Sequence, residues 1–234
     1  MTPRSLSGAL LLAALYAASA GAQSAPDGKQ ISTQGANGAP ACITCHGARG
    51  EGNPAGGFPQ LAGMGGAYLE EQLEAMANGS RVSPIMAATA KALDPAQRKA
   101  VAEYYASLPP AVDTDKLAAT AMHPVAPSDT GAWLATRGAW DKNVPACNQC
   151  HGPGGIGVGA NFPVLAGQPA AYIAGQLRAW QQGQRPPGPL GLMPAVATRL
   201  SSAEIDAVSA YYAGLPKAAD QLAAQANTTA GAKQ

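Results

Sequence analysis

Apolar side chains recur at helical spacing in several segments of the chain, and polar, Gly- and Pro-rich stretches separate those segments. Tyr68, Leu69, Leu73 and Met76 fall on one helical face, and Gly79 stops the pattern, which predicts a helix over 67–78. Asp94 followed by Pro95 reads as an N-cap with proline in the first turn, opening a helix that runs to about Ser107. A counterpart opens at Ser201, with Glu204 at capping-box spacing. Ser128 or Asp129 is expected to cap a further helix containing Trp133 and Trp140. Residues 46–61 and 151–165 read as Gly/Pro-rich loops, and no strand pattern surrounds them. Pro109, Pro110, Pro124 and Pro127 mark an inter-domain linker. The expectation is an all-α protein of two domains, 23–112 and 128–234, joined by residues 113–127.

The first 22 residues follow a different logic. Arg4 supplies a positive start, Ala9 to Ala18 form a short apolar run, and Ala18-Ser19-Ala20 and Ala20-Gly21-Ala22 both fit a small-residue cleavage site. A membrane anchor is the competing reading, but a spanning helix needs about 20 apolar residues and this run is far shorter. A cleaved signal peptide over 1–22, and hence an exported protein, is expected.

Composition then poses a problem. Charged residues are 12% and aromatics 5%, while 28 glycines and 20 prolines are present. Two small domains with so few large side chains bury little apolar area, and domains of that size are already marginal. Something other than side chains must fill the interior. A net charge of +1 without a basic cluster argues against a nucleic-acid partner, and 47% hydrophobic residues argue against disorder.

The four cysteines supply the missing element. They occur as Cys42-Ile43-Thr44-Cys45-His46 and Cys147-Asn148-Gln149-Cys150-His151, so each belongs to a C-x-x-C-H motif. That is the signature of c-type haem attachment: two thiols form thioether links to the porphyrin, and the adjacent histidine lies under the iron. A zinc site pairs C-x-x-C units about 15–20 residues apart, whereas 101 residues separate Cys45 from Cys147. A thioredoxin-type dithiol needs a strand–helix–strand context. Zinc and dithiol chemistry therefore remain as the lesser alternatives.

An internal repeat points to the other axial ligand. Pro40-Ala41-Cys42 matches Pro145-Ala146-Cys147, and Phe58-Pro59-Gln60-Leu61-Ala62-Gly63 matches Phe162-Pro163-Val164-Leu165-Ala166-Gly167. Tyr68, Gln72 and Arg81 match Tyr172, Gln176 and Arg185, and Tyr104-Tyr105 matches Tyr211-Tyr212. Downstream of His151 the one methionine is Met193, whose counterpart is Met86. Met64 corresponds to Gln168 and Met76 to Trp180, so both read as core filler. His123, in the inter-repeat segment, reads as a surface histidine. The candidate ligands are His46 with Met86 and His151 with Met193.

This order of motifs resembles the dihaem cytochrome c4 family, and each half resembles a class I cytochrome c domain. The resemblance covers nearly the whole mature chain. It implies two domains about a pseudo-twofold axis, one covalent haem c in each, and electron transfer in the bacterial periplasm. It further implies that Pro59 and Pro163 offer carbonyls to the proximal histidines and that Arg81 and Arg185 lie near haem propionates, exposed loop arginines being the alternative. Met64 departs from the family pattern, where glutamine is usual.

With both axial positions filled by protein, no iron is open to substrate, which favours a carrier over an enzyme. The expected partners are redox proteins: a cytochrome oxidase, and a quinol–cytochrome c reductase or periplasmic dehydrogenase. No transmembrane anchor is expected, and peripheral membrane association stays open. A peroxidase-like dihaem enzyme and a fixed electron-transfer subunit of an oxidoreductase are the alternatives. Residues 23–115 carry −3 and residues 116–234 carry +3, a polarity that could orient the protein between two partners.

Overall fold

The computed structural model describes residues 25–121 and 123–231. The signal-peptide segment, its cleavage sites and Met122 lie outside the described residues. Among those described there is no strand; only isolated bridges pin four loops. The first half contains α1 (Gly28–Gln34), α2 (Ile43–His46), α3 (Gly66–Asn78), α4 (Met86–Ala92) and α5 (Pro95–Ser107). After α6 (Thr114–Thr120), the second half repeats the order as α7 (Thr130–Thr136), α8 (Asn148–His151), α9 (Ala170–Gln181), α10 (Leu192–Ala197) and α11 (Ser202–Gly231).

Local chemistry sets most of these boundaries. The Asp94 side chain accepts from the Gln97 N–H while Gln97 reaches back to the Asp94 N–H, a complete capping box with Pro95 in the first turn. Ser201 and Glu204 close the equivalent box on α11. Asp129, not Ser128, caps α7. That helix ends before Gly138, however, so Trp133 belongs to it and Trp140 to a separate turn, Trp140–Lys142. Gly79 at φ 83° ends α3 as expected.

In each half the first helix crosses the last at a glycine. A Cβ on Gly28 would lie 2.1 Å from the Ala100 carbonyl oxygen, and one on Gly131 would lie 2.4 Å from that of Ala207. No side chain fits there, so backbones touch and the helices pack closely. The cores follow: Ile31, Leu69, Leu93, Val101 and Tyr105 in the first half, Leu134, Ile173, Leu177, Ile205 and Tyr212 in the second.

Two features depart from the repeat. Helix α5 stops where Leu108 turns extended before Pro109-Pro110, because a residue preceding proline is pushed out of the helical region. Helix α11 instead runs through Pro216 to Gly231; one proline is followed here by Lys217, and burial of Leu215 and Ala219 holds the extension in place. Residues expected to form the linker also contain α6. Its Leu117 is 1% exposed within the second core, and Lys116 bonds Asp220 on α11 at 2.8 Å. The chain leading into the second half is therefore docked upon it.

Candidate haem sites

Cys42 immediately precedes α2 and Cys147 immediately precedes α8, each helix a single turn ending on its histidine. One turn brings Cys45 and His46, or Cys150 and His151, round to the same wall as the first cysteine. All four thiols are free, with Cys150 exposed and the other three half-buried. Burial pushes the Cys42 thiol up and the Cys147 thiol to about 11, so neither is a thiolate at neutral pH.

Both histidines are buried. His46 Nδ1 lies 2.8 Å from the Pro59 carbonyl oxygen and His151 Nδ1 lies 2.9 Å from that of Pro163. An amide carbonyl can only accept, so each Nδ1 carries the proton and each Nε2 its lone pair. The Nε2 of His46 is buried without a hydrogen-bond partner, an arrangement that costs free energy unless something binds there. Burial lowers both histidine pKa values, against the opposing pull of the proline carbonyls, and keeps the rings neutral. Free thiols one turn away and an oriented imidazole with a bare nitrogen fit a covalent haem. No group of three or more His, Cys, Asp or Glu side chains able to hold a metal ion comes together among the described residues.

Met86 opens α4 and Met193 is the second residue of α10; both are half-buried. Met193 packs against the same core as Cys147. Met64 and Met76 are buried, as expected of filler, and His123 is exposed. Hydrophobic side chains around the methionine loops stay open: Ile85 is 66% exposed and Leu190 92%.

The residues that the repeat singled out without assigning a role meet between the two halves. Arg81 donates to Gln72 on its own domain at 3.0 Å, and to Tyr172 and Gln176 of the other at 3.1 and 2.7 Å. Arg185 mirrors it, donating to Gln176 at 3.2 Å and across to Tyr68 and Gln72 at 3.0 and 2.9 Å. Backbone bonds add to this seam, from Val82 to Gln184 and from Tyr68 to Ala160. Both guanidinium groups are buried, not on exposed loops, and neither pairs with a carboxylate among the described residues. Such charges normally require a counter-charge. Sequence reasoning could place these residues in the repeat but could not tell that they face one another. Their one sequence signal was polar identity kept in both halves.

Residues 25–109 match the cytochrome c family model, and residues 132–211 match that of the cbb3-type cytochrome c oxidase subunit III. A thiosulfate dehydrogenase electron acceptor from Thiomonas intermedia is 47% identical over 76% of this chain and 80% of that one. Among solved structures, a thiosulfate dehydrogenase (TsdBA) from Marichromatium purpuratum superposes with a TM-score of 0.69 at 42% identity. That match covers 80% of this chain but only 39% of the other. Reduced recombinant cytochrome c4 from Pseudomonas stutzeri gives a TM-score of 0.61 at 34% identity, covering 74% of this chain and 92% of that one. Two cytochrome c modules in tandem, each with its thiols and imidazole on one wall, and a cytochrome c4 matched over most of its length together lead to one conclusion: the chain belongs to the dihaem cytochrome c4 family of electron-transfer proteins, with two covalently attached haems.

Proposed function

We propose that this protein takes up electrons that a separate dehydrogenase removes from thiosulfate in the periplasm, and passes them toward a terminal acceptor such as a cytochrome oxidase. Cys42 and Cys45 hold one haem c, and Cys147 and Cys150 hold the other. His46 with Met86, and His151 with Met193, are the side chains that would hold the two irons. When bound, each haem supplies a reversible one-electron couple, so the chain stores two electrons. The single observation that carries the reading is the duplicated imidazole with its Nδ1 fixed on a proline carbonyl and its Nε2 facing away from that bond, beside two free thiols.

The residues divide the work simply. Pro59 and Pro163 fix the ring planes, so little reorganisation accompanies electron transfer. Met86 and Met193 occupy the sites at which a small molecule would otherwise bind, which leaves the chain a carrier rather than an enzyme. Arg81 and Arg185, buried at the seam without a carboxylate partner among the described residues, would neutralise haem propionates. The dehydrogenase partner is supported by the names of the relatives, and by the match that spans only part of the longer Marichromatium chain. The periplasmic site is supported by the signal peptide that the sequence predicts over residues 1–22.

Rapid-mixing spectroscopy tests this proposal. Oxidised holoprotein should stay oxidised with thiosulfate alone and gain two electrons per chain once a thiosulfate dehydrogenase is added. Reduction by thiosulfate without the dehydrogenase, or none with it, defeats the proposal.

A further inference from the structure

The repeat places Val164 at the position of Gln60, and Gln168 at the position of Met64. A pseudo-twofold seam built from true repeats should therefore carry the same contact twice. It carries two different ones. On one side the Gln60 backbone N–H donates to Gln168 Oε1 at 3.1 Å, and Gln168 Nε2 donates to the Gln60 carbonyl at 3.1 Å. Gln60 Nε2 adds a bond to the Ala166 carbonyl at 2.7 Å. On the other side Met64 and Val164 are both buried in one apolar cluster. The Val164 N–H makes no hydrogen bond among the described residues.

The polar contact reaches a haem site through a single peptide group. The carbonyl of Pro59 and the N–H of Gln60 belong to the same amide. That carbonyl accepts from His46 Nδ1, and that N–H donates to Gln168. A continuous chain therefore runs from the proximal imidazole of the first site, through one peptide, to a buried side chain of the other domain. Hydrogen bonds in series polarise one another in a low-dielectric interior. An acceptor on the N–H makes the carbonyl a better acceptor in turn, and draws the Nδ1 proton away from the ring. In the second site the same peptide, Pro163–Val164, has the histidine at one end and no acceptor at the other.

We propose that Gln168 is a positioning residue for His46, acting across the domain seam to make the first proximal imidazole more electron-donating than the second. The inference rests on the haem assignment above. It gives the substitution at position 64 a consequence: with methionine there, the relay exists in one direction only, and the two haems of an otherwise duplicated protein differ in potential.

The test uses three variants of the holoprotein, each first checked for haem content by the pyridine haemochrome assay. Gln168→Met removes the acceptor at similar volume. Gln60→Met removes a seam bond, that to Ala166, while leaving the relay intact. Met64→Gln offers Val164 the acceptor it lacks. Redox titration, with each step assigned by haem-methyl NMR resonances, should show Gln168→Met raising the first haem's potential alone. The shift expected is roughly a threefold change in its reduction equilibrium, about 28 mV at ~59 mV per tenfold for one electron. The His46 Nδ1–H resonance should move in this variant and stay in place in Gln60→Met. Met64→Gln should lower the second potential, and it carries the test alone if Gln168→Met does not assemble. Equal shifts in the Gln168 and Gln60 variants, a shift of both haems together, or no shift overturns the relay. A wild-type haem count other than two per chain overturns the haem assignment instead.

Discussion

Replacing Leu117 by alanine tests whether α6 is a tether or a part of the second domain. Leu117 is 1% exposed and belongs to the core around Leu134, Ile205 and Tyr212. Its carbonyl oxygen lies where a Cβ on Gly154 would approach to 2.2 Å, so α6 rests directly on the loop that follows His151. The substitution removes three methylene-sized groups, about 2.4 kcal/mol of transfer free energy at ~0.8 kcal/mol each. The cavity left behind brings the expected cost to about 3 kcal/mol, within the usual range of roughly 2–5 kcal/mol for such a change. Differential scanning calorimetry of the holoprotein should show a Tm lower by at least about 6 °C if the domains melt together, and by ~12 °C or more if the second melts alone. Absorbance and NMR signals of the second haem should change before those of the first. A linker residue would cost no more than about 0.5 kcal/mol. A Tm drop below about 2 °C would refute the argument that residues 114–120 belong to the second core.

Other expectations follow from particular contacts. Gly28→Ala and Gly131→Ala should each destabilise their own domain by about 1–3 kcal/mol in urea titrations, because the new Cβ forces the crossing helices apart; an unchanged midpoint in either would contradict the helix crossing described. Met86→Ala and Met193→Ala should each abolish one of two near-infrared sulfur-to-iron charge-transfer signals and open one haem to cyanide, whereas loss of neither signal would remove that methionine from the ligand set. Lys142 at 2.6 Å, together with the Ser201 N–H, holds Glu204 below the ordinary carboxylate pKa. A native pKa depressed in this way contributes stability that is intact above the unfolded value and is lost as pH falls through the native one. Acid titration from about pH 6 to about pH 3 should therefore weaken the start of α11, and Glu204→Gln should flatten that part of the profile; an unaltered slope would mean that the ion pair contributes nothing.

Much of the protein was legible because its signals are local. Asp94-Pro95, Gly79 and the Ser201–Glu204 pair mark helix ends through bonds spanning a few residues, and the helices begin or end there. The C-x-x-C-H units are equally local: one helical turn sets thiol and imidazole side by side whatever the rest of the chain does. Legibility failed where competing contacts lie far apart in sequence. Leu108-Pro109 and Leu215-Pro216 are the same dipeptide in both halves, yet α5 stops before the first proline and α11 runs through the second, where Leu215 and Ala219 are buried. Trp140 shared a helical stretch with Trp133 on paper, but Gly138 at φ 76° turns the chain between them.

The sequence by itself determined two all-α haem modules, the thiols that attach the cofactor, and the histidine beside each pair. It also determined the repeat that ties Arg81 to Arg185 and Gln60 to Val164. Only the tertiary structure decided that the arginines cross between domains, that α6 seals the second core, and that Gln168 reaches the peptide supporting His46. Such contacts join residues about a hundred positions apart. A hydrogen bond is specified by where its two groups meet in space, and no pattern along one segment carries the position of the other.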